Sequence, residues 1–267
     1  MIVVKQDCIK CGVCAEVCPV GIIGMKESGP FWLNQRGCIK CGHCVAICPQ
    51  GSLDHEQVPL NKQVSLNQYP VLDSQTATQF LRSRRSIRSY RDKAVPKEEM
   101  LNLLDIARFA PSGGNSQGLS YIVVTEKELL QKLTEATVNW MEEQINKGVA
   151  WSKAYEGIVH GYRKTGRDVI LRGAPALIIA TAPKNFPMGR DNARYSLAYV
   201  ELLATTMGLG SCWAGFLEMC AAAGYSEVYK LLDIAEKTAV TGAIMVGYPN
   251  YQYHRLVDRN PLQVTWK

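Results

Sequence analysis

The sequence predicts a mixed helix-and-strand protein in two unequal parts, a small cysteine-bound module followed by a larger domain. Two observations carry this. A twelve-residue cassette occurs twice, as CIKCGVCAEVCP at 8–19 and CIKCGHCVAICP at 38–49, identical at eight of twelve positions. From about residue 76 the pattern changes to helical stripes alternating with β-branched apolar runs.

Each cassette is spaced C-x2-C-x2-C-x3-C-P, the run found in bacterial ferredoxins that carry two iron–sulfur clusters. A [4Fe-4S] cube takes four thiolates, and three cysteines spaced by two residues wrap one side of it. The fourth comes from elsewhere. In this motif the fourth cysteine serves the other cluster, so the predicted ligand sets are Cys8, Cys11, Cys14 with Cys48, and Cys38, Cys41, Cys44 with Cys18. Pro19 and Pro49 break the chain after the crossing ligand, and Gly12 and Gly42 keep bulk away from the sulfurs. Structural zinc is the competing reading of CxxC pairs. Zinc sites use two such pairs, with no third cysteine in step and no proline after the fourth, so iron–sulfur fits better. His43 lies inside the second cassette. With four cysteines per cluster, its expected role is a surface or tuning position rather than a ligand.

The chain has 267 residues, 47% of them apolar, which suits one small and one larger soluble domain. MIVVKQDC lacks the pattern of a secretory signal. The nearest approach to a membrane span, APALIIATAP at 174–183, is too short. Ten cysteines, eight of them committed to clusters, fit a reducing cytoplasm and no membrane association. The net charge of +6 lies wholly in residues 60–267, since residues 1–59 hold five basic and five acidic side chains.

Residues 1–58 have little core of their own, so the clusters act as the core of a ferredoxin-like domain. Residues 59–75, with two prolines and no periodicity, read as a linker, and 76–267 as the second domain. PKEEMLNLLDIARFA (96–110) opens on Pro and two glutamates and places Met100, Leu103, Leu104 and Ala107 on one face of a helix. SYIVVT (120–125), ALIIAT (176–181) and AVTGAIMVG (239–247) read as central strands. The more charged and aromatic stretch 126–172, with Trp140, Trp151, Tyr155 and Tyr162 in helical periodicity, either covers a pocket or is a helical excursion. DNARYSLAYVELLATTMGLG (191–210) reads as a helix capped by Asp191 and ended by Gly208 and Gly210, with Ala193, Leu197, Val200, Ala204 and Met207 as its buried stripe.

A dinucleotide fold is not signalled, because GLGSCWAG (208–215) follows a helix instead of a strand, and no P-loop occurs. Instead RRSIRSY (84–90), APSGGNSQ (110–117), GLGSCWAGF (208–216) and GYPNYQYHRLVDRNP (247–261) stand in the order and spacing of the nitroreductase-like flavoproteins. Residues 76–267 resemble that family, and the whole chain resembles ferredoxin–nitroreductase fusions. The resemblance implies an α+β fold, a homodimer and bound FMN.

Carried over residue by residue, Arg84, Arg85 and Ser86 match the motif at the FMN phosphate and ring edge, and Arg88 adds charge nearby. Arg259 and Arg255 match the basic residues that complete the phosphate site. Guanidinium forks and a hydroxyl suit a dianionic phosphate. Pro111, Ser112, Asn115 and Gln117 match a loop that reaches the flavin from the partner subunit. Ala214 and Gly215 match the segment whose backbone faces flavin N5. Arg82 and Arg91 read as surface residues, Cys220 as structural, and Cys212 as a small buried filler or a reactive thiol. Trp213 either shields the flavin or only packs. Five arginines in 82–91 would also fit a nucleic-acid patch, but no aromatic-interleaved face accompanies them, so no nucleic-acid partner is expected.

The expected function is an FMN-dependent oxidoreductase. Two [4Fe-4S] clusters supply electrons to FMN, which reduces a small organic acceptor such as a nitroaromatic or a quinone. The expected donor is reduced ferredoxin or another low-potential carrier, with NAD(P)H as an alternative. The competing readings are electron flow outward through the clusters, and a relay or redox-sensing module without small-molecule turnover. A cleft open beside the flavin favours the enzyme, and a sealed one the relay.

Overall fold

A computed structural model describes residues 2–66 and 71–267. By its packing the chain divides into two units, Met1–Leu72 with Gly113–Ser116, and Asp73–Ser112 with Gln117–Lys267. Part of the expected linker, residues 67–70, lies outside the described residues; the rest of it up to Leu72 groups with the first unit, and Asp73 opens the second.

The first unit is built on the repeat. Gly12 (φ 81) and Gly42 (φ 75) each take the left-handed conformation that glycine adopts at little cost. Each precedes a one-turn helix, α1 (Val13–Glu16) and α2 (His43–Ala46). Two short antiparallel pairs frame them. Strand β1 (Ile2–Val4) pairs with β4 (Leu53–His55), and β2 (Ile23–Lys26) with β3 (Gly29–Trp32). Among the described residues only a handful of apolar side chains, including Ile22, Ile23, Val45 and Leu53, are buried. That is too small a core to stabilise a unit of this size without a further staple.

The second unit centres on a four-stranded sheet in the order β5 (Ser120–Val124), β6 (Ala176–Pro183), β8 (Thr238–Gly247), β7 (Gly210–Trp213). Every pairing is antiparallel, with Val123 opposite Ile178, Ile178 opposite Ile244 and Cys212 opposite Met245. Side chains alternate across this sheet, which is why two layers of helices can cover it. Ala176, Ile178 and Ala180 face one core with α4 (Lys97–Ala107) and α7 (Gly189–Thr206). Leu177 and Ile179 face the other, with α5 (Lys127–Asn146), α8 (Gly215–Ala222) and α9 (Ser226–Leu231). The fold is therefore of the α+β class. Helix α3 (Ser74–Ser83) opens the unit, with the Asp73 carboxylate accepting the N–H groups of Gln75 and Thr76, both at 2.9 Å.

Several sequence expectations change here. SYIVVT forms β5 at an edge, and only Val124 of it is buried, because a two-strand apolar signal does not say which strand lies outermost. The other edge, β7, was hidden in the glycine-rich string GLGSCWAG. Asp191 sits in the first turn of α7 and does not cap it. Gly208 (φ 69) ends that helix, whereas Gly210 begins β7. Met100, Leu103 and Ala107 are buried as the stripe predicts, and Leu104 is half-buried. The stretch 126–172 is helical, with α5 and α6 (Glu156–Thr165) joined by a 3-10 segment, and its last residues, Val169, Ile170 and Arg172, also line a cleft. Among the described residues no helix is long and apolar enough to cross a membrane.

Candidate thiol cavities and cationic cleft

The cysteines of the first unit surround two cavities, and the fourth cysteine of each cassette crosses over. One cavity is lined by Cys8, Cys11, Cys14 and Cys48, the other by Cys38, Cys41, Cys44 and Cys18. The repeat is visible in the backbone. Lys10 and Lys40 share left-handed φ angles of 57 and 56, and Gly21 and Gly51 share 61 and 60. Each set receives a backbone donor at sulfur, Ser52 N–H to Cys48 Sγ at 3.3 Å and Lys40 N–H to Cys38 Sγ at 3.4 Å. Burial pushes the Cys44 thiol up to about 11, and Cys41 and Cys18 add to it. Burial likewise raises Cys14, with Cys11 and Cys48 contributing. Thiols kept protonated chiefly by burial become good ligands once cationic iron sits between them. Among the described residues no three such side chains converge on one point as a single ion requires, and each set of four cysteines lines one small cavity. His43 is exposed at the rim of the second cavity. The histidine that touches a sulfur is His55, which was not singled out from the sequence, with Nε2 3.6 Å from Cys38 Sγ.

In the second unit the arginine-rich segment RRSIRSY runs beside β7. Ser86 forms a parallel bridge with Ser211, and Ile87 N–H donates to the Ser211 carbonyl at 2.9 Å. Extended backbone sends alternate side chains to opposite sides. Arg88 accordingly lines a cleft of about 450 Å³ together with Gly215, whereas Arg85 lines a different cleft of about 550 Å³ with Tyr253, over whose ring it lies at 5.3 Å. The Nε of Arg85 is buried and has no hydrogen-bond partner among the described residues. Arg85, expected at the phosphate, and Arg88, expected nearby, thus line separate clefts.

Arg84 pairs with Glu201 of α7, Nη1 to Oε1 3.6 Å. Glu201 is a second residue the sequence reading missed. It is buried and also accepts the Ser211 hydroxyl at 3.1 Å and the Trp213 indole N–H at 2.9 Å. A lone acid inside the apolar run LAYVELLATT was the available signal. It ties Arg84 to β7.

Four arginines, Arg88, Arg172, Arg190 and Arg194, line the cleft at Gly215 against one carboxylate, Glu218. Glu218 is buried and accepts from Arg194 at 2.9 Å and from Arg190 at 3.3 Å. Arg88 and Arg172 have no carboxylate partner among the described residues. Trp213 forms an aromatic wall, with the Arg194 guanidinium 4.2 Å from its ring, and Phe216 forms another. At Gly215, which opens α8, a Cβ would meet only open space. Cationic walls, planar faces and a bare backbone fit a flat anionic ligand such as a flavin phosphate. Cys212, also at the cleft, is buried, and burial raises its thiol. That favours the filler reading.

The remaining predicted residues lie elsewhere. Ser112 Oγ accepts the Gln117 N–H at 3.1 Å, and Gly114, Asn115 and Gln117 all take left-handed φ, a tight turn following Pro111. Asn115 groups with the first unit, where its amide donates to the carbonyls of Ile39 (2.9 Å) and Lys40 (3.0 Å). Arg255 and Arg259 lie in an exposed segment, and neither lines either cleft. Ala214 is fully buried, its N–H donating to the Ala243 carbonyl at 2.9 Å, so only its neighbour Gly215 reaches the cleft.

Residues 81–248 match the nitroreductase family, and residues 7–53 match the 4Fe-4S dicluster domain. An NADH dehydrogenase of Thermus thermophilus is 29% identical over 216 residues, which are 74% of this chain and 98% of that protein. An iodotyrosine deiodinase of Thermotoga neapolitana is 24% identical over 173 residues, 63% of this chain and 86% of the relative. Among solved structures, a nitroreductase with bound FMN from Bacteroides fragilis superposes with a TM-score of 0.58 at 18% identity, covering 73% of this chain and all of that one. The last likeness is one of fold.

Proposed function

Because the chain belongs to the nitroreductase family, we propose that it is an FMN-dependent oxidoreductase whose N-terminal module supplies electrons through two [4Fe-4S] clusters. The observation that carries this is the joining of a 4Fe-4S dicluster domain and a nitroreductase-family domain in one chain. When bound, FMN converts single electrons into hydride equivalents, which a cluster cannot do alone.

The residues have distinct tasks in this reading. The crossing cysteine sets hold the clusters, and the backbone donors to Cys48 and Cys38 stabilise charge on their sulfurs. Arg84, Ser86 and Arg88 hold the FMN phosphate and ring edge, with Glu201 keeping Arg84 in place. Arg85 belongs to the same motif; it lines the other cleft with a buried Nε that is unpartnered among the described residues, whereas Arg84 and Ser86 line neither cleft. Gly215 leaves its backbone open to the flavin. Pro111, Ser112, Asn115 and Gln117 reach the flavin from the partner subunit of a homodimer, and Arg255 and Arg259 complete the phosphate site. The open cleft of about 450 Å³ supports turnover of a small acceptor, a nitroaromatic or quinone, over a sealed relay. Reduced ferredoxin is the expected donor, with NAD(P)H as the alternative; NADH is supported by the name of the Thermus relative.

The test is removal of residues 1–58, or replacement of Cys14 and Cys44 by serine. The intact chain should hold eight irons and eight sulfides, and its FMN should be reduced by ferredoxin only while the clusters are present. Dithionite should still reduce the truncated protein. Equal ferredoxin-driven rates with and without clusters would refute the supply role.

A further inference from the structure

The cassette repeat has an offset of thirty residues, so its two thiol sets ought to be near equivalents, yet their linings differ at several positions, among them Val13 against His43, Ser52 against Ile22 and Met25 against His55. Seven residues after Cys18 stands Met25, which lines the first cavity and has no N–H or O–H to donate from its side chain. Seven residues after Cys48 stands His55, which lines the second. It is 3% exposed, fixed by the β1–β4 pairing opposite Ile2 and by the edge of Trp32, whose ring centroid lies 5.9 Å away.

The hydrogen bonds around the imidazole assign its proton. Gln57 N–H donates to Nδ1 at 3.1 Å, so Nδ1 is an acceptor and Nε2 carries the hydrogen. That hydrogen faces Cys38 Sγ at 3.6 Å. Both thiol sets have a backbone donor, Ser52 at Cys48 and Lys40 at Cys38. Among the described residues the second set alone has a side-chain N–H directed at a ligand sulfur, whereas the buried Ser52 hydroxyl at the first cavity and the Trp32 indole N–H at the second make no hydrogen bond. Reduction puts one more negative charge on a cluster, much of it on sulfur, and a hydrogen bond to a ligand sulfur stabilises that charge.

Resting on the two-cluster reading above, we propose that His55 raises the reduction potential of the cluster held by Cys38, Cys41, Cys44 and Cys18 above that of the cluster held by Cys8, Cys11, Cys14 and Cys48. The first electron to enter the module then resides at the second-cassette site. No bond forms or breaks in this step: one cluster gains one electron from the donor, and the first-cassette cluster is filled only afterwards. His55 is a positioning residue for charge, acting through Cys38.

The experiment is an anaerobic dithionite titration of the full-length chain followed by electron paramagnetic resonance. Two reduction waves are expected, with the electron favouring one cluster at least tenfold, which for one electron is about 59 mV. In His55→Leu the upper wave should fall toward the lower one, while His55→Gln, whose amide can still donate, should keep most of the separation. Pulsed resonance on protein carrying 15N-histidine, in a His43→Gln background, should show histidine nitrogen coupled to the species reduced first. Unchanged waves in His55→Leu, or a first-reduced species without that coupling, would overturn the proposal. If His55→Leu fails to assemble clusters, the labelled parent decides alone. Fewer than eight irons in the parent would instead remove the two-cluster reading, so the two failures are distinguishable.

Discussion

Replacing Glu201 by leucine asks whether one buried carboxylate holds Trp213, a wall of the cleft, together with Ser211 and Arg84. The side chain is 5% exposed and holds three partners, Ser211 Oγ at 3.1 Å, Trp213 Nε1 at 2.9 Å and Arg84 Nη1 at 3.6 Å. Leucine fills much of the volume but accepts nothing. The Trp213 N–H is then left in a half-buried site without its partner, and a hydrogen bond to a charged group contributes about 1.5–3 kcal/mol. The Ser211 hydroxyl can rotate toward a new acceptor, so its loss is nearer 1 kcal/mol. The Arg84 pair is long, and 29% of that side chain is exposed, so screening holds its share below about 1 kcal/mol. Together these give a loss of roughly 3–5 kcal/mol. For a domain of this size each kcal/mol lowers Tm by about 2–4 °C, so thermal unfolding should shift down by roughly 6–20 °C. Glu201→Gln keeps an acceptor for Trp213 without the charge and should lose about half as much. Tryptophan emission during heating reads the stability, and fluorescence titration with FMN reads the affinity, which should weaken because Arg84 is no longer held. A leucine variant within about 0.5 kcal/mol of the parent, with unchanged FMN affinity, would show that Glu201 organises nothing.

Gly247 and Cys220 offer two further tests. A Cβ at Gly247 would lie 2.5 Å from Pro175 Cδ and 2.9 Å from Tyr90 Cδ1, and the proline ring cannot swing away. Gly247→Ala should therefore destabilise the second unit by about 1–3 kcal/mol in a denaturant titration, and a neutral result would mean the end of β8 yields easily. Burial, the largest cause, pushes the Cys220 thiol up from 9.0 to about 12. The thiolate is disfavoured in the fold, so stability is level below the unfolded value and falls as pH rises from 9.0 toward 12. Cys220→Ala should flatten part of that alkaline decline, and native Cys220 should resist iodoacetamide at neutral pH; rapid labelling without unfolding would contradict the burial.

The first unit was largely legible because its information is local. Cysteine spacing, the prolines after the fourth cysteine and the left-handed glycines act over a few residues, and the cavities show the crossed sets that the motif implies. Helix α4 and the buried stripe of α7 were legible for the same reason: helical periodicity records which face is apolar without any knowledge of the partner. The family resemblance came from four short strings whose order survives in a linear reading.

What the linear reading did not contain was pairing between distant residues. Whether β5 is central or at an edge depends on the order β5-β6-β8-β7, which no single strand encodes. Arg85 and Arg88 stand three apart in one motif, yet they line separate clefts, because the extended segment beside β7 sends them to opposite sides. Glu201 looked like an ordinary helix residue until folding set it against Arg84, Ser211 and Trp213. His43 drew notice because it stood among cysteines, whereas His55 gained its sulfur contact only when β4 closed over the second cavity. Composition and periodicity settled which segments are buried. Only tertiary structure decided which polar groups meet there, because a buried polar atom must be satisfied by whatever the fold brings within about 3 Å, however far away in sequence.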